Sequence, residues 1–269
     1  MEALLNTAIK AARKAGDFAQ MNFGRINEDD IRTKDYNEFV TFVDDQAEIL
    51  IKDIIQSRYP DHGIIAEESK PKKNDKSDYV WIIDPLDGTT NYIHSFPVYA
   101  VSIALKVKGL LEVAVIYDPS RQELFTAIRG AGSQLDGRRI RVSKQRTLEG
   151  ALLGTGFPYR QNNDWLDIYL EIFSDFSQKA AGIRRPGAAA LDLAYVACGR
   201  LDGFWEFGLH SWDVAAGILL IQESGGLFSN LIPNQDMLES GNIIAGNQRV
   251  FGEMKKIISK YDSKLVQLS

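Results

Sequence analysis

Val80 to Asn91, V-W-I-I-D-P-L-D-G-T-T-N, limits what this chain can fold into more than any other stretch. Val80-Trp81-Ile82-Ile83 is a continuous apolar run of the kind that forms a buried strand. Asp84 falls at the end of that run. Pro85 has no N–H to give to a ladder, which predicts that pairing stops there. Asp87-Gly88 is a turn signal, and the hydroxyls of Thr89 and Thr90 are free to cap a helix or bind. Two carboxylates three residues apart, at the mouth of a rigid strand, suit a hard cation and mark this as the candidate active site.

Regular elements are legible on both sides. Residues 2–23 place Leu4, Leu5, Ala8, Ile9, Ala12, Ala15 and Ala19 at helical spacing, with Gly24 as a stop. Residues 25–39 lose the pattern and predict a loop or irregular hairpin. A second helix is predicted from Asp44 to Arg58 and a short strand over Gly63–Ala66, followed by a charged surface loop over 69–78. After the central strand, Val98–Val107 alternates cleanly, Leu111–Tyr117 and Glu123–Ile128 continue a meander, and Gly109, Gly130 and Gly132 punctuate it. Strands at 151–154, 203–207, 225–229 and 243–245 then alternate with helices at 164–178, 189–199, 211–223 and 248–260, and the tail after Tyr261 is expected to fray. The expected fold class is α/β, with an α+β lobe over residues 1–147, an α/β lobe over 148–269, and one structural unit overall.

Charge and cysteine content narrow the function. A net charge of −5 gives no global reason to expect nucleic-acid binding. A single cysteine, Cys198, forbids an internal disulfide and fits a reducing compartment. The first ten residues lack a signal peptide's basic start and apolar core, and no apolar run is long enough to span a bilayer. A cytoplasmic, membrane-free protein is therefore expected.

Most acidic residues are solvated surface groups. Asp44, Glu67, Asp84, Asp87 and Asp213 differ because each follows or opens a regular element. Converging, they would repel one another and raise their own pKa values. Bound divalent cations would resolve that conflict, hold a phosphate and supply a nucleophile from water. Gly88-Thr89-Thr90-Asn91 offers backbone N–H groups for phosphate oxygens, or an ordinary helix cap. The haloacid dehalogenase phosphatases also carry an acidic D-G-T turn after an apolar strand, but one residue separates their aspartates and the first is a covalent nucleophile. Here Pro85 and Leu86 both intervene, which sets the carboxylates on a turn and disfavours that chemistry. His62 is expected to be exposed and His94 to lie near the site mouth, at spacings that do not suggest zinc. His210 and Trp212 are expected to shape the loop at Asp213, and Tyr169, Phe173 and Phe176 to be helix core.

Three segments in order, A-E-E-S at Ala66, W-I-I-D-P-L-D-G-T-T-N-Y at Trp81 and G-L-H-S-W-D-V-A-A-G at Gly208, resemble the motifs of the inositol monophosphatase family. The likeness covers essentially the whole chain and leans toward the family's bacterial extragenic suppressor branch. It implies a layered αβαβα sandwich of the inositol monophosphatase and fructose-1,6-bisphosphatase type. It implies an inositol-phosphate phosphatase with two to three Mg²⁺ per site, sensitive to lithium. One ion would be held by Glu67, Asp84 and the main-chain oxygen of Leu86, the second by Asp84, Asp87 and Asp213, with Glu67 supporting a third through water. Asp44 and Thr89 would orient the attacking water. Asp87, Gly88, Thr89 and Asp213 would contact the phosphate end of the substrate, and Gly187, Ala188, Ala189 and Glu206 its sugar-alcohol side.

The likeness also implies a homodimer, with Ala188–Gly199 and the Arg184 loop as candidate interface elements. Pro186 and Ala188 stand where relatives commonly carry serine or threonine, which bears on substrate preference. Inositol 1-phosphate is the expected ester. A 3′-phosphonucleotide, fructose bisphosphate, histidinol phosphate or NADP would use the same chemistry, although no dense Lys/Arg cluster marks a second phosphate site. A role of another class, binding RNA polymerase and ribosomal RNA antitermination factors through an outer surface, is implied by the same branch.

Overall fold

Small side chains at helical spacing let the first layer sit close to its sheet. The computed structural model describes residues 1–35, 38–69, 77–158, 165–232 and 235–267. Its elements run α1 (Glu2–Asn22), β1 (Ile31–Asp35), β2 (Glu38–Thr41), α2 (Phe42–Arg58), β3 (Gly63–Ala66), β4 (Tyr79–Asp87) and α3 (Thr89–Ile93). The meander follows as β5 (Ala100–Val107), β6 (Leu110–Asp118), β7 (Glu123–Ile128), β8 (Gly132–Leu135) and β9 (Arg138–Arg139). Next come β10 (Leu152–Thr155), α4 (Leu166–Ser177), β11 (Gly182–Arg184), α5 (Ala189–Ala197), β12 (Gly203–Glu206) and α6 (Ser211–Ser224). The chain closes with β13 (Leu227–Asn230), α7 (Met237–Ser240), β14 (Ile243–Gly246), α8 (Gln248–Ile258) and α9 (Asp262–Gln267).

Five layers result, α-β-α-β-α. Ala8, Ala11, Ala12 and Ala15 of α1, with Ala47, Ile51 and Ile55 of α2, pack on Trp81, Ile83, Val101, Ile103 and Val115 of a seven-stranded sheet. That sheet is ordered β3-β4-β5-β6-β7-β8-β9. Its opposite face, with Ile82, Ala100, Ala104 and Ile116, meets α5 and α6. Those helices also cover Phe204 and Ala245 of a five-stranded sheet ordered β11-β10-β12-β14-β13. On the far face, Leu153, Trp205 and Ile244 receive α4 and α8. The expected alternation in β5 is real, and both of its faces are buried because helices cover both sides of the sheet.

Three local expectations are corrected. Pairing does not stop at Pro85: β4 runs on to Asp87, with Asp84 opposite Ser102 and Asp87 opposite Ala100. Pro85 and Leu86 together oppose Val101 alone, a β-bulge that needs no N–H from the proline. Helix α2 starts two residues before Asp44, because the Thr41 side chain caps it and the Asp44 carboxylate reaches back to the Thr41 N–H. The tail does not simply fray, since α9 buries Leu265 against the α4–α8 cluster and Lys264 pairs with Glu171. The small-residue helix α5 turns inward: Ala189, Ala190, Leu191, Leu193, Ala194, Val196 and Ala197 are all buried inside the chain, and of the candidate interface stretch Tyr195, Cys198 and Gly199 stay half-buried. Most of the expected 69–78 surface loop (70–76) lies outside the described residues.

The middle layer depends on one close approach. A Cβ on Gly217 of α6 would stand 2.4 Å from the Leu193 Cβ of α5. Gly217→Ala therefore forces these helices apart and is expected to cost about 1–3 kcal/mol, as overpacked cores do. Urea unfolding should show a lower midpoint with an unchanged slope.

Candidate active site

The bulge in β4 does more than absorb a proline. Along a regular strand, side chains three residues apart point to opposite faces. One extra residue restores phase, so Asp84 and Asp87, opposite Ser102 and Ala100, both face the α5–α6 layer. Asp213, in the first turn of α6, meets them there. One carboxylate oxygen from each of the three lies within 4.8 Å of the others.

This convergence is electrostatically costly. Asp84 is 1% exposed and Asp87 9%. Burial, then the charges of Glu67, Asp87 and Asp213, pushes the Asp84 carboxyl well above the usual aspartate range, against the opposing N–H of Leu86 at 3.0 Å. Burial and the charge of Asp213 do the same to Asp87, against a 2.7 Å hydrogen bond from the Ala190 N–H. Asp213 accepts from the His210 N–H at 2.6 Å. An all-oxygen, anionic donor set of this kind fits a hard divalent cation, which would relieve the repulsion. Glu67 stands just outside the tight trio, yet its charge is the largest acting on Asp84.

Asp44 is fully buried behind this cluster. Its Oδ2 accepts from the Thr41 N–H at 2.8 Å and the Thr41 hydroxyl at 2.6 Å, and its Oδ1 accepts from the Thr89 hydroxyl at 2.8 Å. The Thr89 oxygen also lies 3.1 Å from the Leu86 carbonyl. A hydroxyl has one hydrogen, so donation to Asp44 leaves the Thr89 oxygen as an acceptor for anything in the cavity. Asp45, the next residue, turns to the surface instead and pairs with Arg32.

A cavity of about 760 Å³ gathers Glu67, Asp84, Leu86, Asp87, Gly88, Thr89, Gly187, Ala188, Ala189, Glu206 and Asp213 on its walls. Asp44 reaches it only through Thr89. Gly88 (φ +94°) caps α3 in the left-handed region, and a Cβ there would meet the Val98 carbonyl at 2.8 Å. Asn91 ties the two halves together by donating to the carbonyls of Val98 (2.8 Å) and Pro186 (2.9 Å).

Several residues depart from expectation. His62 is not simply exposed: its ring stacks between Tyr59 and Tyr79, and Trp81 Nε1 donates to its Nδ1 at 3.0 Å. His94 is exposed and does not line the cavity. His210 and Trp212 do frame Asp213, their rings 4.5 Å apart on the cavity wall. Tyr169 and Phe176 are buried core, as expected. The cavity also holds Arg185 of the Arg184 loop, and residues that sequence reasoning passed over: Phe157, Trp165 and Asp192. Only Asp192 left a trace in the sequence, as the sole charge in A-A-A-L-D-L-A-Y-V-A from Ala188 to Ala197.

A layered α/β scaffold that brings three carboxylates together on one cavity wall could hold a hard cation, an arrangement that suits metal-dependent phosphate chemistry. The chain belongs to the inositol monophosphatase family, whose model matches residues 1–263. It is 53% identical over 254 residues to "Nus factor SuhB" of Pseudomonas aeruginosa, covering 93% of this chain and 94% of that protein. The extragenic suppressor protein suhB of Bartonella henselae has a similar structure, with TM-score 0.91, 40% identity, and coverage of 96% of this chain and 99% of the other. The inositol monophosphatase of Anabaena (Nostoc) gives TM-score 0.86 at 38% identity, covering 96% of each chain.

The carboxylate cluster fixes a pH dependence. A carboxyl whose pKa is raised by folding binds its proton more tightly folded than unfolded. Its contribution is fully present below the ordinary aspartate range, near 4, and is lost as pH rises through the folded value. Metal-free protein should therefore lose stability on going from acid toward neutral pH. Asp84→Asn keeps an oxygen for the Leu86 N–H and removes the charge. Thermal melts of the metal-free variant at neutral pH should show a higher Tm than the parent, and added Mg²⁺ should stabilise it less.

Proposed function

We propose that the chain is a Mg²⁺-dependent phosphomonoesterase that hydrolyses inositol 1-phosphate to inositol and inorganic phosphate by attack of water on phosphorus. The observation that carries this reading is the trio Asp84, Asp87 and Asp213, one carboxylate oxygen of each lying within 4.8 Å of the others, beside a Thr89–Asp44 pair at 2.8 Å. Glu67, Asp84 and the Leu86 carbonyl would hold one ion, and Asp84, Asp87 and Asp213 the other, with Glu67 supporting a third through water. Bound there, Mg²⁺ neutralises phosphate charge and makes water a better nucleophile at neutral pH.

The chain's own groups supply direction. The Thr89 oxygen accepts a hydrogen from the attacking water and aligns it, while Asp44, anchored by Thr41, holds the Thr89 proton. Gly88 and Thr89 turn N–H groups toward phosphate oxygens. Gly187, Ala188, Ala189 and Glu206 face the leaving alcohol, and the Glu206 carboxylate accepts from its hydroxyls. Among the described residues lining the cavity, Arg185 is the one Lys or Arg, which favours a monophosphate over a bisphosphate. The name of the Anabaena neighbour supports the same ester.

A second reading comes from the Pseudomonas relative's name, Nus factor SuhB. On it, the chain also associates with RNA polymerase and antitermination factors in the cytoplasm, as a homodimer, through an outer surface that includes the exposed Arg184.

Phosphate release from inositol 1-phosphate should require Mg²⁺, vanish with chelator and fall in lithium. Asp87→Asn should lower kcat by about a thousandfold, the scale on which charge stabilisation acts in such sites; unchanged turnover removes the assignment. Thr89→Val should be nearly as damaging and Thr89→Ser mild. For the second reading, Asp87→Asn should still co-purify RNA polymerase and rescue growth of a deletion strain, and light scattering should give twice the 30.1 kDa chain mass. Loss of both association and rescue in that variant would tie the cellular role to catalysis.

A further inference from the structure

Helix α2 presents three charged side chains in one row. Asp44, Glu48 and Lys52 follow one another at intervals of four residues, so they lie one above the next on the same face. Asp44 takes the Thr89 hydroxyl. The other two reach a different segment. Glu48 Oε2 accepts from the Glu68 N–H at 2.8 Å, and Lys52 Nζ donates to the Ser69 hydroxyl oxygen at 2.9 Å. Lys52 Nζ also stands 3.3 Å from Glu48 Oε1, which joins the two side chains in an ion pair.

The segment they grip carries Glu67. Strand β3 is the edge strand of its sheet, and its ladder ends with Ala66 opposite Ile83. Glu67 is the next residue, past the ladder, and its N–H donates to the Ile83 carbonyl at 3.2 Å. The N–H groups of residues 67 and 68 are thus tied to β4 and to α2 in turn. The Glu67 side chain lines the cavity outside the tight trio of Asp84, Asp87 and Asp213. A ligand at the edge of a sheet is placed only as well as its backbone is held, and a metal site tolerates errors of about 0.5 Å. Glu48 is 3% exposed. Burying a carboxylate lowers stability unless its partners compensate it, and this one commits one oxygen to Lys52 and the other to the Glu68 N–H.

We propose that Glu48, paired with Lys52, is a positioning residue that fixes the Glu67 backbone and so aims the Glu67 carboxylate at the cation site. One face of α2 then sets two parts of the centre, the Thr89 hydroxyl through Asp44 and the edge carboxylate through Glu48. This rests on the phosphomonoesterase reading above, with Glu67 as a Mg²⁺ ligand, and adds to it the residue that holds that ligand in place.

The test is calorimetric titration of Mg²⁺ into the metal-free chain, beside the Mg²⁺ dependence of inositol 1-phosphate turnover. Glu48→Met keeps the side-chain length and removes both acceptor oxygens. It should raise the Kd for Mg²⁺ and the half-saturating Mg²⁺ concentration by about tenfold, as residues behind metal ligands do, and lower kcat at saturating Mg²⁺ by less than about threefold. Glu48→Gln, whose amide oxygen still accepts from the Glu68 N–H, should keep the Kd within about threefold of the parent value. On a Glu67→Gln background, Glu48→Met should add less than about twofold, because the two act through one contact. Leu265→Ala, in the distant α4–α8 cluster, should lower Tm and leave the Kd unchanged. An unchanged Kd in Glu48→Met, no rescue by Glu48→Gln, a full further loss on the Glu67→Gln background, or an equal rise in Kd in Leu265→Ala would overturn the inference. If Glu48→Met fails to fold by circular dichroism, Lys52→Met takes its place, with Lys52→Arg as its conservative partner. Parent protein that binds Mg²⁺ and releases phosphate, matched in both by Glu48→Met, overturns this inference alone. Parent protein that does neither removes the phosphomonoesterase reading and this inference with it.

Discussion

Repulsion among crowded carboxylates is the constraint to which the rest of the structure answers. Asp84, Asp87 and Asp213 would separate if each sat on a mobile loop. They are held together because two come from one strand in the middle of a covered sheet and the third from the first turn of a helix packed on that sheet. The stability lost to their proximity is offset by the apolar layers around them, where Ile82, Ala100, Ala104, Val214, Ala215 and Ile218 are all buried. A cation held there would meet a site that needs no reorganisation.

The bulge at Pro85-Leu86 links sequence to chemistry. It lets proline sit within a paired strand, brings two aspartates to one face, and buries Leu86 among Ala19, Val43, Tyr92 and Tyr99. The same turn delivers Thr89 to Asp44 at the start of α2. The Asp84–Asp87 pair and the Thr89–Asp44 hydrogen bond are therefore positioned by a single local irregularity, braced by α1 and α2 on one side of the sheet and by α5 and α6 on the other.

Much of this was legible in order along the chain. Helical alanine spacing marked α1, strict alternation marked β5, and acidic residues at element boundaries marked Asp44, Glu67, Asp84, Asp87 and Asp213. The bulge was not legible, because a proline after a strand run signals termination unless the partner strand is known to continue. His62 read as a surface residue because its stacking partners Tyr59 and Tyr79 are joined to it only by the fold. Leu265 read as tail because the α4–α8 surface that buries it is built from distant segments.

Arg185, Phe157 and Asp192 show the same limit at the cavity. Phe157 and Arg185 carry no local signal of a cavity and Asp192 only that of a lone charge in an apolar run, and they gain meaning when β10, α5 and β12 meet. By itself the sequence determined the family, the layered fold class and the acidic residues available to a cation, since periodicity and motif chemistry are local properties written residue by residue. Only the tertiary structure decided that Asp84 and Asp87 share a face, that Thr89 donates to Asp44, and that Asp192 and Glu206 line one cavity. Those are relations between residues up to 45 positions apart in the chain, and they are set by packing, which no single stretch of chain contains.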